Sequence, residues 1–457
     1  MAGALVGDYV TGTVSGGSNY IGGLVGDAAS SLVLNCYSTA TVTAQLAGGD
    51  VGGLVGASAY DSITNSYATG SVTAVQQSSI GGLVGAFYGY YCISNGVSCP
   101  ISNSYATGNI TSGSNSIAGG LVGSVSDNVI EDSYATGSVS TGSGVGGGYG
   151  GGLVGALVAA SYASEIENSY ASGSVTGGVA AFVGGLLGDN EGIVSGSYAT
   201  GDVTGSGAGG TSYVGGLAGD NAGTIVTSFA TGSVSDTGNS AGAGDFVGGL
   251  VGLNWSFANG IADSYATGSV TATNEGTSAY IGGLVGWNTA QSNIDQSFAT
   301  GSVSVSNSPS AYIGGLVGMN DTGSFITDSY STTGAVTGGT DDDVGGLVGG
   351  LFTSGSIAAS YSTGAVTSGT GSYIGGLVGY DGNTSQYIVD AYWDTTTGGI
   401  TNLSQGAGNI ANDLGIAGLT TTQFQSGLPS GFSPTIWKEK SRINDGLPYL
   451  IANPPPK

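Results

Sequence analysis

Two short phrases alternate along almost the whole chain, so any fold must offer each of them the same surroundings about a dozen times. The first is Gly-Gly-Leu-Val-Gly or a near copy, with its leucine at Leu24, Leu54, Leu83, Leu121, Leu153, Leu186, Leu217, Leu250, Leu284, Leu316, Leu347 and Leu377. The second, typified by NSYATGSV, falls between copies of the first and is led by Tyr67, Tyr105, Tyr134, Tyr170, Tyr198, Phe229, Tyr265, Phe298, Tyr330 and Tyr361. Successive leucines lie about 32 residues apart on average, a period at which stacked repeat architectures occur.

Within each unit Ile, Val, Thr and Tyr are abundant and glycine recurs about every ten residues, which reads as two or three short strands separated by turns. A propeller blade needs about 40–45 residues and four strands, too many for this unit. The expected fold is therefore all-β: a β-solenoid (β-helix) of about twelve coils over residues 1–394, closed by an irregular C-terminal cap over 395–457. The last seventy residues hold all four basic side chains and six of the eight prolines, a composition foreign to the repeats. A cap there would cover strand edges that the last coil leaves unpaired.

Stacking at strand spacing, about 4.8 Å, turns each repeated position into a column. Asn190, Asn221, Asn254, Asn288 and Asn320 then form an amide ladder, and Tyr20, Tyr149, Phe182, Tyr213, Phe246, Tyr280, Tyr312 and Tyr373 an aromatic one. The position before the second phrase's aromatic is serine from Ser66 to Ser360, with Cys36 and Ala391 as exceptions. A tight inward column explains that restriction, and alternation then turns Tyr67 and its equivalents outward. The opposing reading is a buried ring, because Phe229 and Phe298 dispense with the hydroxyl.

Glycine makes up 93 of 457 residues, and 29 acidic side chains face only Lys438, Lys440, Arg442 and Lys457, for a net charge of −25 with no histidine. Nucleic acids and anionic lipid surfaces both require basic side chains, so neither is an expected partner. No run of eighteen apolar residues is present, so no membrane insertion is expected. Cys92 and Cys99 bracket a loop of six residues that a disulfide could close, the alternative being two free thiols; such bonds persist in oxidising compartments. Cys36, inside a repeat, reads as a small buried residue.

Chemistry finds little foothold. Without histidine there is no conventional catalytic triad and no imidazole ligand for a metal, and no cofactor is expected. Asp341, Asp342 and Asp343 form the densest acidic cluster; a solvated turn is the preferred reading, and a Ca²⁺ site built from hard oxygen ligands is the alternative.

The order GGLVG, then I-x-N-S-Y-A-T-G-S-V, resembles the GLUG motif, a repeat of bacterial cell-surface proteins that include filamentous-haemagglutinin-like adhesins. The resemblance covers residues 2 to about 394 and implies secretion and a structural or adhesive role. The motif also resembles the noncatalytic part of some streptococcal immunoglobulin A metalloproteases, but their protease chemistry is not carried over, since H-E-x-x-H cannot occur without histidine. Met1 enters a partial unit directly, without a secretory signal, which is compatible with a piece of a longer chain. The expected function is thus a noncatalytic extracellular repeat protein of the bacterial surface, binding a host glycan or surface protein through its loops. Tyr88, Tyr90, Tyr91, Trp255, Phe257, Trp287 and Tyr380, just after the GGLVG phrase, are the candidate contact residues, because exposed rings are enriched at binding surfaces. Two alternatives remain open. One is a carbohydrate-active β-helix enzyme, and the other an ice-binding solenoid using the threonine row at Thr69, Thr107, Thr136, Thr200, Thr231, Thr267 and Thr300.

Overall fold

The glycine doublet sets the shape of every coil. In one coil, Gly52 ends the strand Asp50–Gly52 and Gly53 begins a corner that leads into Val55–Ala59. A Cβ on Gly52 would collide with the carbonyl oxygen of Val55, and one on Gly53 with that of Gly82 in the next coil. Only glycine fits where backbones approach so closely. Leu54, carried at this corner, is fully buried, and so are its counterparts from Leu83 to Leu377.

Three more strands complete that coil: Ser62–Thr64, Tyr67–Ala68 and Val72–Ala74. The coil therefore has five strands where the sequence suggested two or three. Each is only two to five residues long, too short for its own alternation to stand out. The corner before the tyrosine explains a recurring asparagine or aspartate. Asn35, Asn65, Asn103, Asp132 and Asn168 all have φ between 47° and 55°, the left-handed region that these two side chains tolerate best after glycine.

The computed structural model describes residues 3–89, 92, 99–142, 148–207, 210–238, 244–257, 259–274, 278–383 and 387–456. Packing divides the chain into two units, Met1–Thr224 with Ala230–Gly232, and Ile225–Phe229 with Ser233–Lys457. Both are all-β solenoids. In the first, the strand after the glycine-leucine phrase stacks in parallel register as Val25, Val55, Val84, Val122, Val154, Leu187 and Ala218. In the second, the same position runs Val251, Val285, Val317, Val348 and Val378. Counted this way there are twelve coils, seven in the first unit and five in the second.

The polar columns hold the stack in register. Asn190 Nδ2 donates to Asn221 Oδ1 at 2.6 Å in the first unit; in the second, Asn254 donates to Asn288 and Asn288 to Asn320, both at 2.7 Å. These amides are fully buried, so each bond replaces water that cannot reach them. The serine column also points inward and does more than fit. The amide N–H of Ser66 donates to Ser104 Oγ, Ser104 N–H to Ser133 Oγ and Ser133 N–H to Ser169 Oγ, each at 3.1 Å, while Ser66 Oγ donates to Thr64 O. Size alone would have allowed alanine; the hydrogen bonds require serine. Cys36, buried, closes the lower end of this row by donating its N–H to Ser66 Oγ.

The C-terminal segment of the second unit does two things. It adds the strand Ile416–Leu419 in parallel to Ala391–Asp394, and Gly406 O accepts from the amides of Leu377 and Val378, so the last edge is paired as a cap requires. After a four-residue helix at Thr421–Phe424 it turns back along the flank of the coils, where Asn453 Nδ2 donates to the carbonyls of Ser264 and Gln296. That second role is absent from a reading of the tail as an end cap.

Candidate functional site

With the serine hydroxyls turned inward, the tyrosines beside them turn out. In the first unit Tyr9, Tyr37, Tyr67, Tyr105, Tyr134, Tyr170 and Tyr198 stack with ring centroids 4.9–5.0 Å apart and planes within 6° of parallel. The ring faces are spent on one another, and Tyr37 to Tyr198 are half-buried. What reaches solvent is a row of ring edges and phenol hydroxyls. Two residues on, Thr39, Thr69, Thr107, Thr136, Ser172, Thr200 and Thr231 form an exposed parallel row. The two rows themselves carry hydroxyls and ring edges without charge along seven coils, with Asp132 and Asp202 exposed at their margins.

In the second unit the same column is Phe229, Tyr265, Phe298, Tyr330 and Tyr361, stacked at 4.8–5.2 Å. Here Phe298, Tyr330 and Tyr361 are completely buried, because Phe424, Phe432, Trp437 and Leu450 of the C-terminal segment lie over them. Trp437 sits 5.9 Å from the Tyr330 ring and 5.8 Å from that of Tyr361, and its Nε1 donates to Asp328 Oδ1 at 2.7 Å. Tyr361 donates its hydroxyl to Pro448 O at 2.6 Å and accepts from Asn444 Nδ2 at 2.8 Å. Each apolar side chain so covered contributes about 1.5–3 kcal/mol.

The candidate contact residues separate into different environments. Trp287 and Tyr380 lie on the other aromatic ladder: Trp287 stacks on Phe246 at 5.3 Å and Tyr280 at 5.2 Å and donates to Asp321, and Tyr380 stacks on Phe352 at 5.5 Å. Trp255 and Phe257 make an edge-on pair at 6.1 Å and are 39% and 66% exposed. Of the candidates in the second unit, these two are the rings open to solvent. Tyr88, in the first unit, is exposed at the end of the strand Val84–Tyr88. Tyr90 and Tyr91 lie outside the described residues. Cys92 and Cys99 are joined by a disulfide.

Asp341, Asp342 and Asp343 do not converge. Asp342 is buried and accepts from the amides of Ala311 and Gly339 at 2.9 and 2.6 Å, Asp341 is exposed with φ of 60°, and Asp343 starts the strand Asp343–Gly345. Among the described residues no three acidic, cysteine or histidine side chains gather as a metal site.

The electrostatics follow from the scarcity of cations. Burial, with Glu191 adding repulsion, pushes the Asp189 carboxyl up to about 7, and burial beside Asp342 pushes Asp343 up to about 6. Asp236 is buried next to Asp245 and held well above the usual carboxylate range by that burial and by its neighbour's charge. Two close carboxylates in such a place cannot both ionise.

Sequence reasoning missed the tail's lateral role and the hydrogen bonds of the serine column. The signal for the first was present in the spacing of Phe424, Phe432, Trp437 and Leu450, which no repeat explains. No curated protein and no solved structure matches the chain. The family model of the GLUG motif matches it three times, at residues 47–73, 114–140 and 277–304, each match falling on the turn of strands just described, so the chain carries GLUG-motif repeats.

Proposed function

We propose that the chain is a noncatalytic extracellular scaffold of the bacterial surface that adheres to a partner through the flanks of its coils. The observation that carries this reading is the pair of uncharged rows on the first unit, where the tyrosine stack and the Thr39–Thr231 row stand open side by side. In a chain of net charge −25, two adjoining uncharged rows are where a partner can approach with less like-charge repulsion and carboxylate desolvation. The Cys92–Cys99 disulfide supports an oxidising compartment.

The test places charge on the strip without touching the core. Beads coated with the triple variant Thr107→Lys, Thr136→Lys and Thr200→Lys should melt as the wild-type protein does, yet lose about tenfold or more of their retention on host cells or matrix, equivalent to about 1.4 kcal/mol. Unchanged retention would remove this flank. If retention is instead lost on changing Trp255 and Phe257 to serine, contact runs through loops. The exposed threonine row also favours a second reading, ice binding. The tyrosines beside it count against a flat hydroxyl surface, and a thermal-hysteresis measurement decides between the two.

A further inference from the structure

In the second unit the threonine row is not open. Thr300, Thr332 and Thr363 occupy successive rungs, each donating its N–H to a carbonyl of the coil below, and with the returning C-terminal segment they line a cleft of about 800 Å³. That volume lies within the usual range for small-molecule sites, about 300–1,000 Å³. The rungs repeat at strand spacing, about 4.8 Å, so the row extends roughly 10 Å along the cleft. Among the described residues no hydrogen bond involves these three side-chain hydroxyls. The facing wall carries Gln425, Arg442 and Asp445.

Arg442 is the chain's single arginine. Among the described residues it forms no ion pair, although 29 acidic side chains are available in the sequence. Its fork of donors is therefore free, and Asp445, three residues away on the same wall, supplies an acceptor. The next rung of the row is Asp394, already occupied by the amides of Thr396 and Thr397 and the hydroxyl of Thr421. It closes the row with a carboxylate rather than another free hydroxyl.

We infer that this cleft binds a neutral, linear oligosaccharide lying along the threonine rungs, with Arg442 and Asp445 holding its hydroxyls from the opposite wall. Mixed donors and acceptors suit groups that are both, and vicinal sugar hydroxyls are such groups. A carboxylated sugar would gain Arg442 but meet Asp394, Asp445 and the field of a strongly acidic protein, so the neutral class is favoured. Successive rungs give one set of contacts per sugar unit, which favours a chain over a monosaccharide. The site is independent of the first unit's flank, and its success or failure leaves the scaffold reading untouched.

Cellotriose, laminaritriose, maltotriose and chitotriose, with trigalacturonic acid as the anionic arm, should be titrated into the full chain by calorimetry. One or more of the neutral trisaccharides should bind. Arg442→Ala should weaken that binding by about tenfold and Thr332→Val by roughly threefold, while trigalacturonic acid binds more weakly than the neutral ligands. Arg442 is exposed, so its loss tests the site without testing the fold, and melting curves should overlay. The inference is overturned if no neutral trisaccharide binds, if binding is indifferent to Arg442→Ala, or if trigalacturonic acid binds best.

Discussion

The tyrosine column of the first unit and its counterpart in the second are built by the same phrase, yet one ends at solvent and the other inside a core. From Tyr9 to Tyr198 the rings stack on one another and keep an edge at solvent, while Phe298, Tyr330 and Tyr361 also lie beneath Phe424, Phe432 and Trp437. A repeat therefore dictates which way a side chain points; it does not dictate whether something lies above it. That depends on residues far away in the chain.

Ending the chain after Leu419 tests this contrast most severely. It keeps the added strand but strips the aromatic cover, so several large apolar side chains become wet at about 1.5–3 kcal/mol each. The melting temperature should fall by on the order of 10 °C or more, with a rise in binding of a hydrophobic dye. A truncated protein that melts like the parent and binds no dye would mean that the cover adds nothing.

A change common to both units should come next in size. Asn288→Ala removes the buried bond that Asn254 donates and the one that Asn320 accepts, a cost of about 1–3 kcal/mol. Urea titration gives the value. Asn221→Ala should cost a similar amount in the first unit through Asn190, and a large inequality between the two would show that the ladders are not equivalent.

The third comparison uses pH. Asp189 in the first unit and Asp236 in the second have raised folded-state pKa values, whereas an unfolded aspartate titrates near 3.9. The unfolded chain thus loses these protons first, and folding is favoured below about pH 4 and progressively penalised as pH rises toward the folded values. For Asp189 that window closes at about 7. Melting temperature should accordingly fall between pH 5 and pH 8. Asp236 pairs in register with Ala272 and then Val305, so Asp236→Ala should stabilise the protein, more at pH 8 than at pH 5. A stabilisation independent of pH over this range would mean that the carboxyl is ionised in both states.

The finest test changes one oxygen. Tyr361→Phe removes two buried hydrogen bonds and should cost about 1–2 kcal/mol, whereas Tyr134→Phe, with its hydroxyl in water, should stay within about 0.5 kcal/mol. Chemical denaturation of the two variants side by side measures the cover's contribution to a single rung. Equal effects would erase the distinction between the two columns.

Much of the solenoid was legible because stacking makes identical residues neighbours. Asn190 predicts a bond to Asn221 without any coordinates, since equivalent positions in adjacent coils must meet at strand spacing. The serine column was read as small, which is correct, but its hydrogen bonds were invisible: they join a side chain to the backbone of another coil, and only the corner set by the left-handed residue before it aims the hydroxyl there. The candidate rings were less legible. Trp287 and Trp255 hold similar places after the phrase, but Trp287 lies within the strand Val285–Asn288 and stacks on a ladder, while Trp255 follows the strand Val251–Asn254 and is exposed.

From sequence alone came the all-β solenoid, its register, the amide ladder and the aromatic stacks over Tyr149–Phe182–Tyr213 and Phe246–Tyr280–Tyr312, because each follows from a period and from side chains meeting their own copies. Tyr20 and Tyr373 of the expected ladder instead pair with Asp50 and Asp343. Tertiary structure alone decided what the C-terminal segment covers. Its aromatic residues belong to no repeat, and their contacts reach back to Tyr330 and Asp328, about a hundred residues earlier. Such a contact is chosen by shape and apolar burial between surfaces that exist only after the coils have stacked, so no local pattern carries it. The same event turned an open row of threonines into the wall of a cleft.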